Sequence, residues 1–421
     1  MIKQQTKEGS DPGMKKTVLR ILAVCMVLCM GFMLLCPVGA KAQEAGQELS
    51  AREDGSFRVL LVADTQDTDK PQQQMLELLN AELDNADADL VIFLGDVIYG
   101  PSIGNDAEKA EAAIRAVVDP VDQRGIPFAV AFGNHDDQDC ISKEEQLAIY
   151  QSYSGCLNED PNLPGVGNTC LQIKGRDAEK APLLLWIMDS GTYAEKEIGG
   201  YGYVTQEQNE WFRSGIAAYG ENAPVSYVFQ HIPVPQVFEL IEPAAPFSKG
   251  SFCTFMNPTT KWYREKEGAV RTGCFGETPC PPKYDSGQFQ SWKDYGVRAA
   301  FFGHDHTNDY VATVEGIDLI ATSGIGFYSY GRGYDHGARL LILHPDHPEE
   351  YETEMVYYRD LIDKPLGFIQ TSNMGVQISR IVIPASAGIL LFLIVLIMVI
   401  ILLRRRRRKK KGLKKKNKTG T

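Results

Sequence analysis

Apolar residues in this chain come in short unbroken runs that end on polar ones. Phe57–Ala63 leads into Asp64, Leu90–Leu94 into Gly95-Asp96, and Pro127–Phe132 into Gly133-Asn134-His135. Runs of this length without alternation read as strands buried on both faces. Between them, Gln72–Asn85 places Met75, Leu76, Leu79 and Leu83 at helical spacing, and Ala107–Val118 consists of good helix formers. Strand, helix, strand, helix, strand predicts an α/β fold with parallel strands. The habit continues downstream, where Leu183–Met188 ends in Asp189, Val225–Phe229 in Gln230-His231, and Val297–Phe302 in Gly303-His304-Asp305-His306. Tyr310–Val314, Ile317–Ala321 and Arg339–His344 then read as antiparallel strands. Residues 244–282 are rich in Pro and Gly and predict an irregular insertion, either functional or cross-linked or both.

The ends of the chain follow other rules. Met14-Lys-Lys, the apolar stretch Ile21–Cys36 and Ala40-Lys41-Ala42 have the basic, apolar, small-residue order of a secretory signal peptide, which assigns 1–42 to it. Residues 43–56 read as a polar spacer, 57–360 as the main domain and 361–380 as a juxtamembrane linker. Ile381–Leu403 is a run of 23 residues without a charge. At about 1.5 Å per residue it is long enough, as a helix, to cross a hydrocarbon core of roughly 30 Å. Twelve Lys or Arg follow between Arg404 and Lys418. The positive-inside rule keeps that tail, 404–421, in the cytoplasm and places the main domain outside. Membrane lipid is therefore an expected partner, through the span and the basic tail.

Charge sharpens this division. The tail contributes +12 and residues 1–42 contribute +4, which leaves −27 for residues 43–403 of a chain whose net charge is −11. So acidic a body excludes nucleic acid as an expected partner, because phosphate backbones call for a basic footprint. Six cysteines lie beyond the signal segment: Cys140, Cys156, Cys170, Cys253, Cys274 and Cys280. In an exported domain that even number permits disulfides. The exported part lacks an acceptor site for N-glycosylation, which points to a bacterial source.

The candidate chemistry lies at the strand ends. Asp64, Asp96, Asn134, His231, His304 and His306 combine hard oxygens with imidazoles, a donor set suited to first-row metals. Ligands of open α/β sheets bind beyond the carboxyl ends of strands, so one site is expected to collect all six. With His135, four of the seven histidines stand in these motifs, too many for packing alone. His336, His344 and His347 read as structural.

In order and spacing, Asp64, Gly95-Asp96, Gly133-Asn134-His135-Asp136, His231 and Gly303-His304-Asp305-His306 resemble the motifs of the calcineurin-like metallophosphoesterase superfamily, across roughly residues 57–345. The segments LGDVIYG, WIMDSG, FQHIPVPQ, FFGHDHTNDY and GIGFYSYGRG look like the branch related to purple acid phosphatases. The resemblance implies a four-layered α/β/β/α sandwich and two metal ions, divalent or of mixed valence (Fe, Mn or Zn). It places Asp96 between the metals, Asp64 and His306 on the first, and Asn134, His231 and His304 on the second. His135 then faces the substrate, oriented by Asp136 or Asp305, with a loop-capping role as the other reading of Asp136. Much of the superfamily has Asp-x-His where this chain has Asp64-Thr65-Gln66. The missing ligand is supplied either by Gln66 or by Tyr99, whose tyrosinate would favour ferric iron.

The implied activity is hydrolysis of small phosphate monoesters outside the cytoplasm by a hydroxide held between the metals. Hydrolysis of diesters, in nucleotides or lipid headgroups, is the alternative within the same chemistry, and a non-catalytic surface protein that holds a phosphate ligand is the alternative outside it. Arg332 has the fork geometry for phosphate oxygens. Tyr201, Tyr203, Phe327, Tyr328 and Tyr330 lie in glycine-rich loops, where aromatic residues are more often packing than pocket lining.

Overall fold

The computed structural model describes residues 48–177, 180–255 and 257–372, with 374–376, 378, 386, 388–401 and 404 beyond them. Along the chain the strands are β1 (Leu49–Ser50), β2 (Phe57–Val62), β3 (Leu90–Phe93), β4 (Phe128–Val130), β5 (Thr169–Lys174), β6 (Leu183–Met188), β7 (Ser226–Gln230) and β8 (Ile241–Pro243). They continue as β9 (Ser251–Phe252), β10 (Tyr263–Glu265), β11 (Val270–Thr272), β12 (Val297–Phe302), β13 (Val311–Val314), β14 (Ile317–Ala321), β15 (Gly337–Leu343) and β16 (Tyr351–Tyr357). One sheet runs β16-β15-β2-β3-β4 and a second runs β1-β5-β6-β7-β12-β14-β13-β11. The strands β2, β3 and β4 are parallel, as are β6, β7, β12 and β14.

Three apolar cores make four layers of these sheets. The middle core joins Val59, Leu61 and Ile92 of one sheet to Leu185, Ile187, Phe229 and Phe301 of the other. Leu60, Val62, Val91 and Phe93 point the opposite way, onto the helices Gln73–Ala86 and Ala107–Asp122. On the far side Trp186 and Phe302 meet the helices Gln206–Ala217 and Gln288–Asp294 through Phe212, Ile216, Phe289 and Trp292. Successive residues of β2 thus enter different cores, which is why its sequence shows no alternation. Each such buried side chain stabilises the fold by about 1.5–3 kcal/mol. Helix starts are fixed locally: Ser142 with Glu145, and Thr205 with Gln208, form reciprocal capping boxes.

Several expectations change. Arg339–His344 is antiparallel as expected, but β15 crosses to the other sheet, where it pairs with β2 and β16. Arg339 makes the crossing possible, because its buried guanidinium donates to the carbonyls of Asp309 and Ala321, both at 2.8 Å. The 43–56 spacer is not all linker, since Leu49–Ser50 adds a parallel edge strand beside β5, with Leu49 buried in the middle core. Residues 244–282 are not simply irregular either: β9 and β10 join β8 in a small sheet, and β11 extends the large one. All six cysteines beyond the signal segment are free thiols. The expected signal peptide, 1–42, lies outside the described residues. Within the expected span, 388–401 are helical with exposed apolar side chains. That stretch is about 21 Å long, and among the described residues no helix is long and apolar enough to cross a membrane.

Candidate metal centre

The two sheets stack face to face, and the turns after β2, β3, β4, β7 and β12 converge. Hydrogen bonds tie them together: Asp64 N donates to Gly95 O at 3.2 Å, Gly303 N to His231 O at 3.2 Å, and His231 Nδ1 pairs with Leu94 O at 2.8 Å. The turns are tight enough to force the backbone left-handed at non-glycine positions, with φ of 51° at Asp64, 41° at Gln66, 49° at Asp96 and 72° at His304. Such conformations cost on the order of 1–3 kcal/mol each and gather at functional sites. Gly133 is required sterically, since a Cβ there would collide with the Asp96 carboxylate.

At the convergence, one ligand atom from each of Asp64, Asp96 and His231 lies within 4.8 Å of the others. His231 Nε2 is 3.3 Å from Asp96 Oδ2, 3.3 Å from Asn134 Oδ1 and 3.2 Å from His304 Nδ1. His306 Nε2 is 3.5 Å from Asp64 Oδ1. All six strand-end groups expected to meet do so. His231 and His306 hold their Nδ1 atoms on the carbonyls of Leu94 and Tyr330, an arrangement that turns Nε2 inward and is typical of metal-bound imidazoles.

Burial and the pairing of Asp96 with His231 set the charges at this centre. Burial pushes the Asp64 carboxyl well above the usual range, against the pull of His231. Burial acts on Asp96 in the same sense, but His231 and His135 outweigh it and hold that carboxyl below the usual range. Burial lowers His231 too, yet the facing Asp96 carries it up to about 9. Burial drives His304 well down and His306 to about 4, so both imidazoles are neutral and able to ligate. Asp64 Oδ1 and Gln66 Oε1 are buried without a hydrogen-bond partner. Buried polar atoms of that kind call for a ligand, and the donor set fits divalent or trivalent metals.

Gln66 and Tyr99 are placed differently. Gln66 is buried and its Nε2 donates to Asp96 Oδ2 at 3.0 Å. The Tyr99 ring lies against His135, with centroids 5.2 Å apart, and against Tyr328 at 5.8 Å.

Asp136 is a clamp. Its carboxylate accepts from the backbone N–H groups of Asp96 at 3.0 Å, Ile98 at 3.1 Å and Gly133 at 2.7 Å. It joins the turns after β3 and β4 and does not orient His135. Asp305 does not either, since it accepts from Cys280 N at 3.1 Å. The partner of His135 is Gln138, whose Oε1 lies 2.5 Å from Nδ1. Arg332 is also not a free phosphate fork: it is paired with Asp309 and with Asp335. Phe327 and Tyr328 are buried packing residues.

Three residues near the centre carry no sequence signal of their own. Gln138 lies three residues after His135 in a loop. Tyr193 is half exposed, with its hydroxyl 3.5 Å from Asn134 Nδ2 and its ring stacked on Tyr201. Tyr201 in turn meets the His304 ring edge-on at 4.3 Å. Glu277, inside the 244–282 segment, is the third.

The family model for calcineurin-like phosphoesterases matches residues 57–308, and the chain belongs to that family. Among curated proteins it is similar to "Probable inactive purple acid phosphatase 14" of Arabidopsis thaliana, 26% identical over 366 residues that cover 76% of this chain and 84% of the relative. It is also similar to "Phosphatase DCR2" of Saccharomyces cerevisiae, 26% identical over 308 residues, covering 65% and 48% of the two chains. Among solved structures it resembles a dimetal phosphatase from Danio rerio, at 14% identity and a TM-score of 0.45, over 72% of this chain and 99% of the other.

Proposed function

We propose that this chain is a metal-dependent phosphatase of phosphate monoesters, acting outside the cytoplasm and held at the membrane through 381–403. The observation that carries the catalytic part is the buried convergence of Asp64, Asp96 and His231, with ligand oxygens left unpartnered. Asp64, Asp96, His306 and Gln66 would hold one metal, and Asp96, Asn134, His231 and His304 the other. Bound there, the metals would acidify a water near neutral pH and neutralise charge on the phosphoryl oxygens.

The chain's own groups do the rest. Asp96, buried and kept ionised by His231, supplies negative charge at the middle of the site. His135 is half-buried at its rim, with its backbone N–H on Asp96 Oδ1 at 2.7 Å and Nδ1 on Gln138. Nε2 is therefore the nitrogen left to protonate the leaving alkoxide, a role worth about 100- to 10,000-fold. Gln66 is preferred to Tyr99 for the open position because its amide already touches Asp96 and its oxygen has no other use. Rotation of that amide exchanges Nε2 for Oε1 at the same place.

Membrane attachment rests on the charge-free run 381–403 and the basic residues after it; the exposed apolar helix at 388–401 supports it. A second reading, a non-catalytic phosphate-binding protein, is favoured by the Gln66 departure and by the word "inactive" in the name of a relative. One assay separates the readings. Full chain loaded with Mn²⁺ is offered p-nitrophenyl phosphate and bis(p-nitrophenyl) phosphate. Faster turnover of the monoester supports the proposal, the reverse order makes the chain a diesterase, and no turnover of either favours the binding protein.

A further inference from the structure

The 244–282 segment reaches the metal centre through a carboxylate that none of the motifs contains. Glu277 is buried, and both of its oxygens are in use. Oε1 accepts from Thr307 N, from Thr307 Oγ1 and from the Tyr330 hydroxyl, each at 3.1 Å, and Oε2 is 3.0 Å from the same hydroxyl. Thr307 directly follows His306. The Tyr330 ring lies parallel to the His306 ring at 4.3 Å, its other face is covered by Phe255 at 4.0 Å, and its carbonyl receives His306 Nδ1 at 3.0 Å. His306 is thus gripped on both sides by residues that one carboxylate holds.

The grip is reciprocal. Side chains that follow Gly303-His304 take the backbone of the segment in return: Asp305 accepts from Cys280 N at 3.1 Å, Asp309 from Cys274 N at 2.8 Å, and Asn308 from the N–H groups of Gly276 and Glu277 at 2.9 and 3.0 Å. These bonds staple the segment where a disulfide was expected. They all run to the stretch that carries His304 and His306, a pattern that packing alone does not require.

We infer that Glu277 is a positioning residue for the first metal, fixing the place and ring plane of His306 through Thr307 and Tyr330. This rests on the dimetal reading above. Outer partners of metal-bound imidazoles are worth about 10- to 100-fold in metal affinity. The test is metal content and release, independent of turnover. Full chain loaded with Mn²⁺ is analysed for metal per chain and for the rate of loss to EDTA, in wild type, Glu277→Ala, Glu277→Gln and Tyr330→Phe, with circular dichroism as the check on folding. Wild type should hold two ions. Glu277→Ala should lose one of them at least about 10-fold faster, whereas Glu277→Gln, which keeps an acceptor for Thr307, should recover most of the retention. Tyr330→Phe keeps the ring but not the bond to Glu277, and should fall between them; it is the deciding variant if Glu277→Ala does not fold. If wild type holds two ions and the folded variants release both at its rate, this inference is wrong and the dimetal reading stands. If wild type holds none, both fall.

Discussion

Gln66 donates its side-chain amide to the carboxylate of Asp96 at 3.0 Å, with both residues buried and both on left-handed backbone. Much of the superfamily resembled here has a histidine at the first of these positions, and here an amide stands within a hydrogen bond of the central carboxylate. If it completes the first metal's ligands, Gln66→Ala should weaken one metal by roughly 10-fold or more, while Tyr99→Phe leaves both in place. A colour band that disappears in Tyr99→Phe would reverse that assignment; the expected enzyme has no such band.

His135 and Gln138 form a pair whose effects should differ in size. His135→Ala should lower turnover about 100-fold or more while both metals stay bound. Gln138→Ala removes only the hydrogen bond at Nδ1, so it should lower turnover less, again with both metals bound. Metal analysis beside steady-state kinetics checks both.

Asp136 holds three backbone N–H groups of two turns together, which makes it a structural residue. Asp136→Ala leaves three buried N–H groups unsatisfied, at about 1–3 kcal/mol each. The expected result is a fall of several kcal/mol in unfolding free energy by denaturant titration. An Asp136→Ala protein with wild-type stability and no activity would return it to catalysis.

Glu82 predicts how stability depends on pH. It is buried on the helix Gln73–Ala86, with one oxygen accepting from Ala338 N at 3.3 Å and the other unpartnered. Burial raises its pKa from 4.5 to about 8. The folded chain therefore binds this proton more tightly than the unfolded chain. Its contribution is fully present below about pH 4.5 and is lost as pH rises through 8. That loss is on the order of 2–4 kcal/mol, and Glu82→Gln should remove most of it. Melting curves at pH 5 and pH 8 for the two proteins test this.

Much of the centre was legible because its chemistry is local. A strand that ends on Asp, Asn or His announces itself, since the apolar run before it is buried on both faces and the polar residue after it has no packing reason to be there. What was not legible depends on contacts between distant segments. Asp136 looks like a catalytic neighbour of His135 until Gly133, Asp96 and Ile98 are seen to share its oxygens. Arg332 looks like a free cation until the fold brings Asp309 to it. Glu277 sits in a stretch without periodicity, and only the fold sets it beside Thr307 and Tyr330. Likewise nothing local to β15 records that it joins β2 in one sheet while Arg339 bridges to Asp309 and Ala321 in the other direction.

Two metal ions bound in this centre would support hydrolysis of a phosphate monoester. The most direct test is a titration of chelator-treated full chain with Mn²⁺, following p-nitrophenyl phosphate hydrolysis against metal bound per chain. No turnover is expected without metal, then a rise that saturates at two ions, and none of it in Asp96→Asn. A folded chain that takes up both ions and stays inert toward the ester would contradict it.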